Sequence, residues 1–361
     1  MPPLTLDPDP PSADLGMEVA LSELGQQLKQ LWQSNEAKTK AALMNFAIYS
    51  EEAASLMGNT AVIHEVTREH ACRALLIAAD PDAGEVSVRS WITAHCQLTA
   101  GGKKAICSEQ IAFLIASQSP NLVPNTVFSW LESDLPLTFW WQGEFSPRFE
   151  PHLYAVIDRL VIDSGSWQDP LPQLRRLERA WRHDLGGFTV NDLTWTRVLH
   201  LRMALAAAFD EPGTLDHLLE VEEIQIDYGT GHRLAAKMFA AWMIHQAGWA
   251  LECGRPSEDS FTVSQHGRDM RLVFGEVSSR RAVPRVELQG PRGVICLTHE
   301  RDSPYIHTRI GLNTGSLERL TPCPCDTPAE LVIERLRRGC KTKRYFTLVR
   351  TVRALLGEYE G

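Results

Sequence analysis

The chain has 361 residues, 44% of them hydrophobic and 22% charged, a balance that fills sizeable cores and excludes a wholly disordered polymer. Its formal net charge of -9 argues against a dedicated nucleic-acid binder, which needs an excess of Lys and Arg over one face. No apolar run reaches the roughly 18 to 20 residues of a membrane span, and the opening segment MPPLTLDPDPPSADLGMEVA is acidic and proline-rich rather than basic then apolar, so a cytoplasmic protein is expected.

Length sets an expectation of two domains. Residues 1–17, rich in proline and aspartate, read as a disordered tail. Apolar spacing then predicts a helix over Glu18–Trp32 and a second over Lys40–Leu56. Strand patterns follow at Thr60–Val66, Arg73–Ala79, Glu85–Cys96 and Ile106–Ile115, the last with a helical alternative, separated by turn signals such as AADPDAGEV and TAGGKK. The apolar run LPLTFWWQGEF ends at Gly143, and LYAVIDRLVI reads as a helix end leading into a strand.

Pro170 and Pro172 precede a helix stopped by Gly186 and Gly187. Asp192 is placed as N-cap of a helix to Phe209, Val221–Ile226 reads as a strand, and His232–Trp249 as a broadly buried helix. Strands at Met270–Val277, Arg285–Leu288, Gly293–Thr298 and Tyr305–Ile310 lead to a helical close over Thr327–Leu356. The expectation is a mixed α/β (α+β) protein of two lobes, 18–175 and 176–361, each a mixed sheet flanked by helices.

The common phosphate-cradling and nucleophile-elbow motifs are absent, and the twelve histidines, His200, His217, His232 and His245 among them, show no metal-ligand spacing; no catalytic residue, cofactor or metal is expected. The GTGHR turn offers an anion site at a helix start, with Gly229, Gly231 and Arg233, or else a glycine turn beside a solvated arginine. Asp158 and Asp163, with Arg159 and a Ser-Gly-Ser turn beginning at Ser164, either orient a polar ligand or cap the turn, capping being the commoner use of these residue types.

Eight Lys or Arg and no Asp or Glu occupy Arg335 to Arg353, a field that steers an acidic partner or is simply solvated. The eight cysteines are too dilute for a disulfide scaffold, so free thiols in a reducing compartment are the default. Cys323, Cys325 and Cys340 stand apart: a Cys340 bridge to either of the other two is geometrically easy, and its basic neighbours favour a reactive thiolate.

Two stretches resemble the OpcA family of glucose-6-phosphate dehydrogenase assembly proteins. The first is LTFWWQGEF followed by IDRLVIDSGSW, with Trp140, Trp141, Gly143, Asp158, Arg159, Asp163 and Ser164 at the hallmark positions; Gln142 stands where many relatives are expected to carry Pro. The second is DLTWTRVLHLRMALAAAFDEP, with Asp192, Leu193, Trp195, Thr196, Arg197 and Arg202. The resemblance covers about residues 135–250. It implies a non-catalytic effector that binds glucose-6-phosphate dehydrogenase, favours its active oligomer and raises its affinity for glucose 6-phosphate, with thioredoxin-type redox control through the C-terminal cysteines. The alternative from the residues alone is a sugar-phosphate- or nucleotide-binding enzyme or sensor using the Gly229–Arg233 turn.

Overall fold

A computed structural model describes residues 15–33, 38–98, 105–117, 122–183, 187–211, 213–255, 259–265, 267–313, 315–324, 327–338 and 342–358. Its contacts gather the chain into two units. The first takes residues 1–162, 176–191 and 332–338, and the second takes 163–175, 192–331 and 339–361. Each is a mixed sheet flanked by helices.

In the first unit, β1 (Met17–Val19) is followed by α1 (Leu24–Gln33), β2 (Lys38–Lys40), β3 (Asn45–Ser50), α2 (Ser55–Thr67), β4 (Arg73–Asp80), β5 (Ser87–Leu98) and β6 (Ala105–Ala116). Then come α3 (Leu122–Phe128), β7 (Leu137–Trp141), α4 (Pro151–Tyr154) and β8 (Arg159–Ile162). The sheet order is β1-β5-β6-β4-β3-β7-β8-β9, with β2 beside β6 and β9 at Thr189–Asp192. Strands β6, β4, β3, β7 and β8 run parallel. Taken in chain order these are the third, second, first, fourth and fifth parallel strands, the order of a doubly wound dinucleotide-type sheet.

Three sequence expectations change here. Leu15 is fully buried and Met17 pairs with Ile92, so part of the segment read as tail is packed; residues 1–14 lie outside the described ones. The helix expected over Lys40–Leu56 is instead strand β3, and the strand expected over Thr60–Val66 is instead helix α2. Every residue of Asn45–Ser50 is buried, so this central parallel strand is a continuous run without the alternation that marks a half-exposed strand. In α2 the buried positions Leu56, Asn59, Thr60, Ile63, Val66 and Thr67 follow a helical stripe that the β-branched residues concealed. Ile106–Ile115 falls within β6, so its helical alternative is set aside.

The second unit takes the short 3-10 turn Ser164–Ser166 and the start of α5 (Pro170–His183), whose residues from 176 on belong to the first unit, and then α6 (Leu193–Arg197), α7 (Leu199–Ala208) and α8 (Thr214–Leu218). Strand β10 (Glu223–Gly229) leads into α9 (Arg233–Ala247), then β11 (Ala250–Arg255), β12 (Ser260–Gln265), β13 (Arg268–Val277), β14 (Arg285–Gly290), β15 (Gly293–Thr298), β16 (Tyr305–Leu312) and β17 (Gly315–Pro322). Helices α10 (Pro328–Arg337) and α11 (Thr342–Leu355) close the chain. The eight-stranded order is β11-β12-β13-β10-β14-β15-β16-β17, antiparallel except for β10 beside β13. Burial alternates along β12, β14 and β16, which gives the sheet one core face and one solvated face. Among the described residues no helix is long and apolar enough to cross a membrane.

Candidate functional site

The hallmark tryptophans lie at the carboxyl edge of the first unit's parallel strands. In a doubly wound sheet the crevice at this switch point receives a dinucleotide, whose phosphates need a glycine turn and exposed backbone amides. Here β3 runs instead into Glu51 and Glu52. The Glu51 carboxylate accepts from Tyr49 Oη at 2.8 Å and Ser146 Oγ at 2.6 Å, with Arg148 3.6 Å away. Aromatic side chains fill the rest: Trp141 lies 4.5 Å from Tyr49, 5.8 Å from Phe145 and 5.5 Å from Phe149, centroid to centroid. What remains, lined by Tyr49, Phe128, Phe139, Trp141 and Arg148 among others, is a cavity of about 10 Å³, room for one water.

Trp140 and Trp141 are therefore core residues, 4% and 1% exposed. The Gln142 backbone N–H donates to Tyr49 O at 2.9 Å, a bond that a proline there could not make, and its side chain pairs with the Asn59 amide in both directions. Gly143 turns the chain with φ +78°. Asp158, exposed, accepts from the Leu137 N–H at 2.7 Å and thereby ties β7 to the start of β8, where Arg159 is also exposed.

The second unit gathers most of the remaining hallmark residues around the start of α6. Asp192 caps this helix, its Oδ1 accepting from the Thr194 N–H at 2.9 Å and the Ser164 N–H at 3.2 Å. Its Oδ2 takes the hydroxyls of Ser164 and Tyr345, each at 2.7 Å. Burial pushes the Asp192 carboxyl up to about 6, against the pull of those two hydroxyls.

Asp163 sits beside it, held by Arg197 through two bonds of 3.2 and 3.0 Å and by Thr194 Oγ1 at 2.7 Å. Burial would raise this carboxyl, but Arg197 outweighs it and holds the group below its ordinary range. Thr194 Oγ1 in turn accepts from the Gly165 N–H at 2.6 Å. Asp163 is thus an ion-pair partner, and the backbone of Gly165 in the Ser-Gly-Ser turn also helps to hold its carboxyl low. Leu193 is core, and Thr196 donates back to Asp192 O at 2.9 Å. Half-buried Trp195 carries the Arg202 guanidinium 3.3 Å over its ring.

At the GTGHR turn, Gly229 has no room for a Cβ, which would lie 2.4 Å from Ser279 O and from Arg281 O, and Gly231 has φ +80°. Arg233 is engaged by Asp259, Nη2 to Oδ1 at 2.7 Å, so the cation expected to await an anion is already paired. Sequence reading missed the rest of this cluster. Lys237, fully buried, donates to Asp259 Oδ1 at 2.7 Å and lies 3.5 Å over the Phe274 ring and 4.4 Å over that of Phe261. Burial pulls its ammonium down to about 8, against the attraction of Asp259. Tyr228 completes the group, Oη to Asp259 Oδ2 at 3.2 Å.

Of the redox candidates, Cys323 is buried, while Cys325 and Cys340 lie outside the described residues. The expectation of free thiols throughout is corrected at one place: Cys96 and Cys107, directly opposite in β5 and β6, form a disulfide. In the basic run, Arg335 donates to Asn191, Arg337 pairs with Glu69, Arg338 with Glu334 and Arg353 with Glu358, while Lys343, Arg344 and Arg350 are exposed on α11. Among the described residues no cluster of three or more His, Cys, Asp or Glu could hold a metal ion.

Comparison with known proteins decides the family. Residues 63–179 match the model of the glucose-6-phosphate dehydrogenase subunit N-terminal domain, and residues 188–347 that of the C-terminal domain, in the same order. The chain belongs to the OpcA family. The OpcA protein of Nostoc punctiforme, named for the OxPP cycle, is 26% identical over 228 residues, which is 61% of this chain and 48% of that protein. The OpcA protein of Synechococcus elongatus, named likewise, is 25% identical over 221 residues, 59% of this chain and 48% of that protein. The chain thus spans about half the length of the curated OpcA relatives it matches.

Among solved structures, KijD10, a 3-ketoreductase from Actinomadura kijaniata in complex with NADP, aligns with TM-score 0.48 and 11% identity over 86% of this chain and 94% of that one. An aldose-aldose oxidoreductase from Caulobacter crescentus aligns with TM-score 0.44 and 11% identity over 86% of this chain and 96% of that one. Likeness at this level carries no functional weight.

Proposed function

We propose that this OpcA-family chain is a non-catalytic partner of glucose-6-phosphate dehydrogenase that binds one state of the enzyme in preference to another, favouring its active oligomer and raising its affinity for glucose 6-phosphate. The observation that carries the reading is the ordered match of both dehydrogenase-subunit domain models over residues 63–179 and 188–347. The chemistry of the switch-point crevice supports it, because Glu51 would repel a pyrophosphate and the aromatic cluster occupies its place.

Preferential binding is sufficient for such a role. A partner with equal affinity for both enzyme states shifts nothing, whereas a hundredfold preference, about 2.7 kcal/mol, moves the equilibrium by that factor. Within the hallmark set, Asp158 and Arg159 of the first unit and, separately, the Trp195–Arg202 pair of the second have the exposure to touch a partner, while Ser164, Asp192 and Arg197 hold the start of α6 on which Trp195 lies. Thioredoxin-type control through Cys323, Cys325 and Cys340, and a cytoplasmic setting, belong to the same proposal.

The test is the glucose 6-phosphate dependence of the purified dehydrogenase from the same source, with and without this chain, in oxidising and reducing buffer. A lowered KM is expected. No change in KM, kcat or co-elution under either condition would overturn the reading. The sensor alternative requires glucose 6-phosphate or a nucleotide alone to raise the melting temperature; with Arg233 already held by Asp259, no shift is expected.

A further inference from the structure

We infer that the Cys96–Cys107 disulfide is an exchangeable clamp on the β5–β6 ribbon, a thiol-modification site taken by an external dithiol that attacks the Cys96 sulfur. The inference concerns the chain alone and does not depend on the dehydrogenase reading.

Register brings the two cysteines together. Antiparallel pairing of β5 with β6 sets Cys96 opposite Cys107, with Cα atoms 4.1 Å apart, two pairs from the last one, Leu98 with Ala105. The bond therefore fastens the end of the ribbon.

Its two halves have different surroundings. Cys107 is fully buried, because β2 lies on the other side of β6, pairing Lys40 with Cys107, and the Ala41 N–H donates to Cys107 O at 3.0 Å. Cys96 is exposed; among the described residues β5 has the short β1 on its other side, and β1 reaches no further along it than the pair Met17 with Ile92. An incoming thiolate can approach Cys96 Sγ and is screened from Cys107 Sγ.

Exchange then has a fixed order. A thiolate of the dithiol attacks Cys96 Sγ and forms a mixed disulfide, the electron pair of the broken S–S bond passes to Cys107 Sγ, and that thiolate takes up a proton. The second thiol of the dithiol attacks its own sulfur in the mixed disulfide, expelling Cys96 as a thiolate that is protonated in turn. The protein gains two electrons and two protons, and the dithiol leaves as a disulfide. β6 keeps its pairing with β4 and β2, which follow one another along its other edge, so the strand that gains freedom is the end of β5.

The experiment uses the full chain. After treatment with oxidised glutathione, differential alkylation and peptide mapping should find Cys96 and Cys107 protected together, and dithiothreitol should open the pair without unfolding the chain; both cysteines alkylated after oxidation would overturn the clamp. Reaction with 5,5′-dithiobis(2-nitrobenzoate) tests the order of attack. Cys96 in Cys107→Ser should react about 100-fold faster than Cys107 in Cys96→Ser, because the buried thiol must wait for local opening of its strands; equal rates would refute the order. Hydrogen exchange on the wild-type chain keeps the inference testable if either variant misfolds. Amides at 96–98 should exchange about tenfold faster after reduction, and an unchanged rate would refute the clamp.

Discussion

Asp192 is the most connected carboxylate at the hallmark cluster, and its replacement gives a sharp test of how that cluster is held. Asp192→Ala removes the acceptor of two backbone N–H groups and of the Ser164 and Tyr345 hydroxyls. The hydroxyls can turn elsewhere, but the amides cannot, and with the lost N-cap the cost is roughly 4 kcal/mol in a domain whose total stability is on the order of 5–15 kcal/mol. Asp192→Asn keeps a carbonyl oxygen for the amides, and Tyr345 can reverse to accept from the new NH2, so the cost at neutral pH is about 1 kcal/mol.

The two states of the carboxyl add a pH signature. Its folded value is raised to about 6 from the ordinary 3.8, so between these values the folded state binds more protons than the unfolded one. Its contribution is complete below about 3.8 and lost as pH rises through about 6, a change of about 3 kcal/mol across the window. Urea unfolding from pH 4 to 7.5, with the second unit followed by exchange at the Thr194–Arg197 amides, should show wild type gaining on Asp192→Asn as pH falls. A difference constant across that range would refute the assignment of a raised value to Asp192.

Lys237→Met tests the buried ammonium. With a folded value lowered to about 8 from 10.5, the unfolded state binds more protons in that interval, so wild-type stability should rise by about 3 kcal/mol from pH 8 to 10.5, and unfolding midpoints of the variant should lack that rise. Gly165→Ala puts a Cβ 2.8 Å from Thr194 Oγ1, and the overpacking should cost about 1–3 kcal/mol in denaturant midpoint, whereas Gly143→Ala, with open space but φ +78°, should cost only about 1 kcal/mol. Trp195→Ala should weaken co-elution with glucose-6-phosphate dehydrogenase by about 30-fold, the factor for a 2 kcal/mol anchor, with the circular dichroism of the chain unchanged. Undiminished affinity would remove the Trp195–Arg202 pair from the partner surface.

Local chemistry was readable where it acts over a few residues. Asp192 before an apolar helical pattern announced an N-cap, and it caps. The acceptor's other partners were hidden by distance along the chain, since Ser164 and Tyr345 stand 28 and 153 residues away. Lys237 falls amid a broadly apolar helix, a visible anomaly, but its resolution by Asp259 depends on a left-handed backbone at φ +50° beyond the next strand, which no periodicity encodes. β3 and α2 were exchanged because a strand buried on both faces has no alternation and a helix rich in β-branched residues mimics one. The Cys96–Cys107 pair required a register, and eleven residues of separation alone gave none.

The first unit shows why fold order and chemistry must be read separately. Its strand order is the one that elsewhere creates a phosphate crevice, yet the residues that would make the crevice work are a glycine turn and exposed amides, and here those positions carry Glu51, Glu52 and a packed aromatic cluster. The Gln142 N–H that bonds Tyr49 O, and the Trp141 indole that donates to Glu144 O at 3.0 Å, turn the same edge into a rigid wall. A wall of that kind holds neighbouring loops in place without a ligand, so a sheet order suited to dinucleotides here ends in a packed aromatic edge where the phosphate crevice would be.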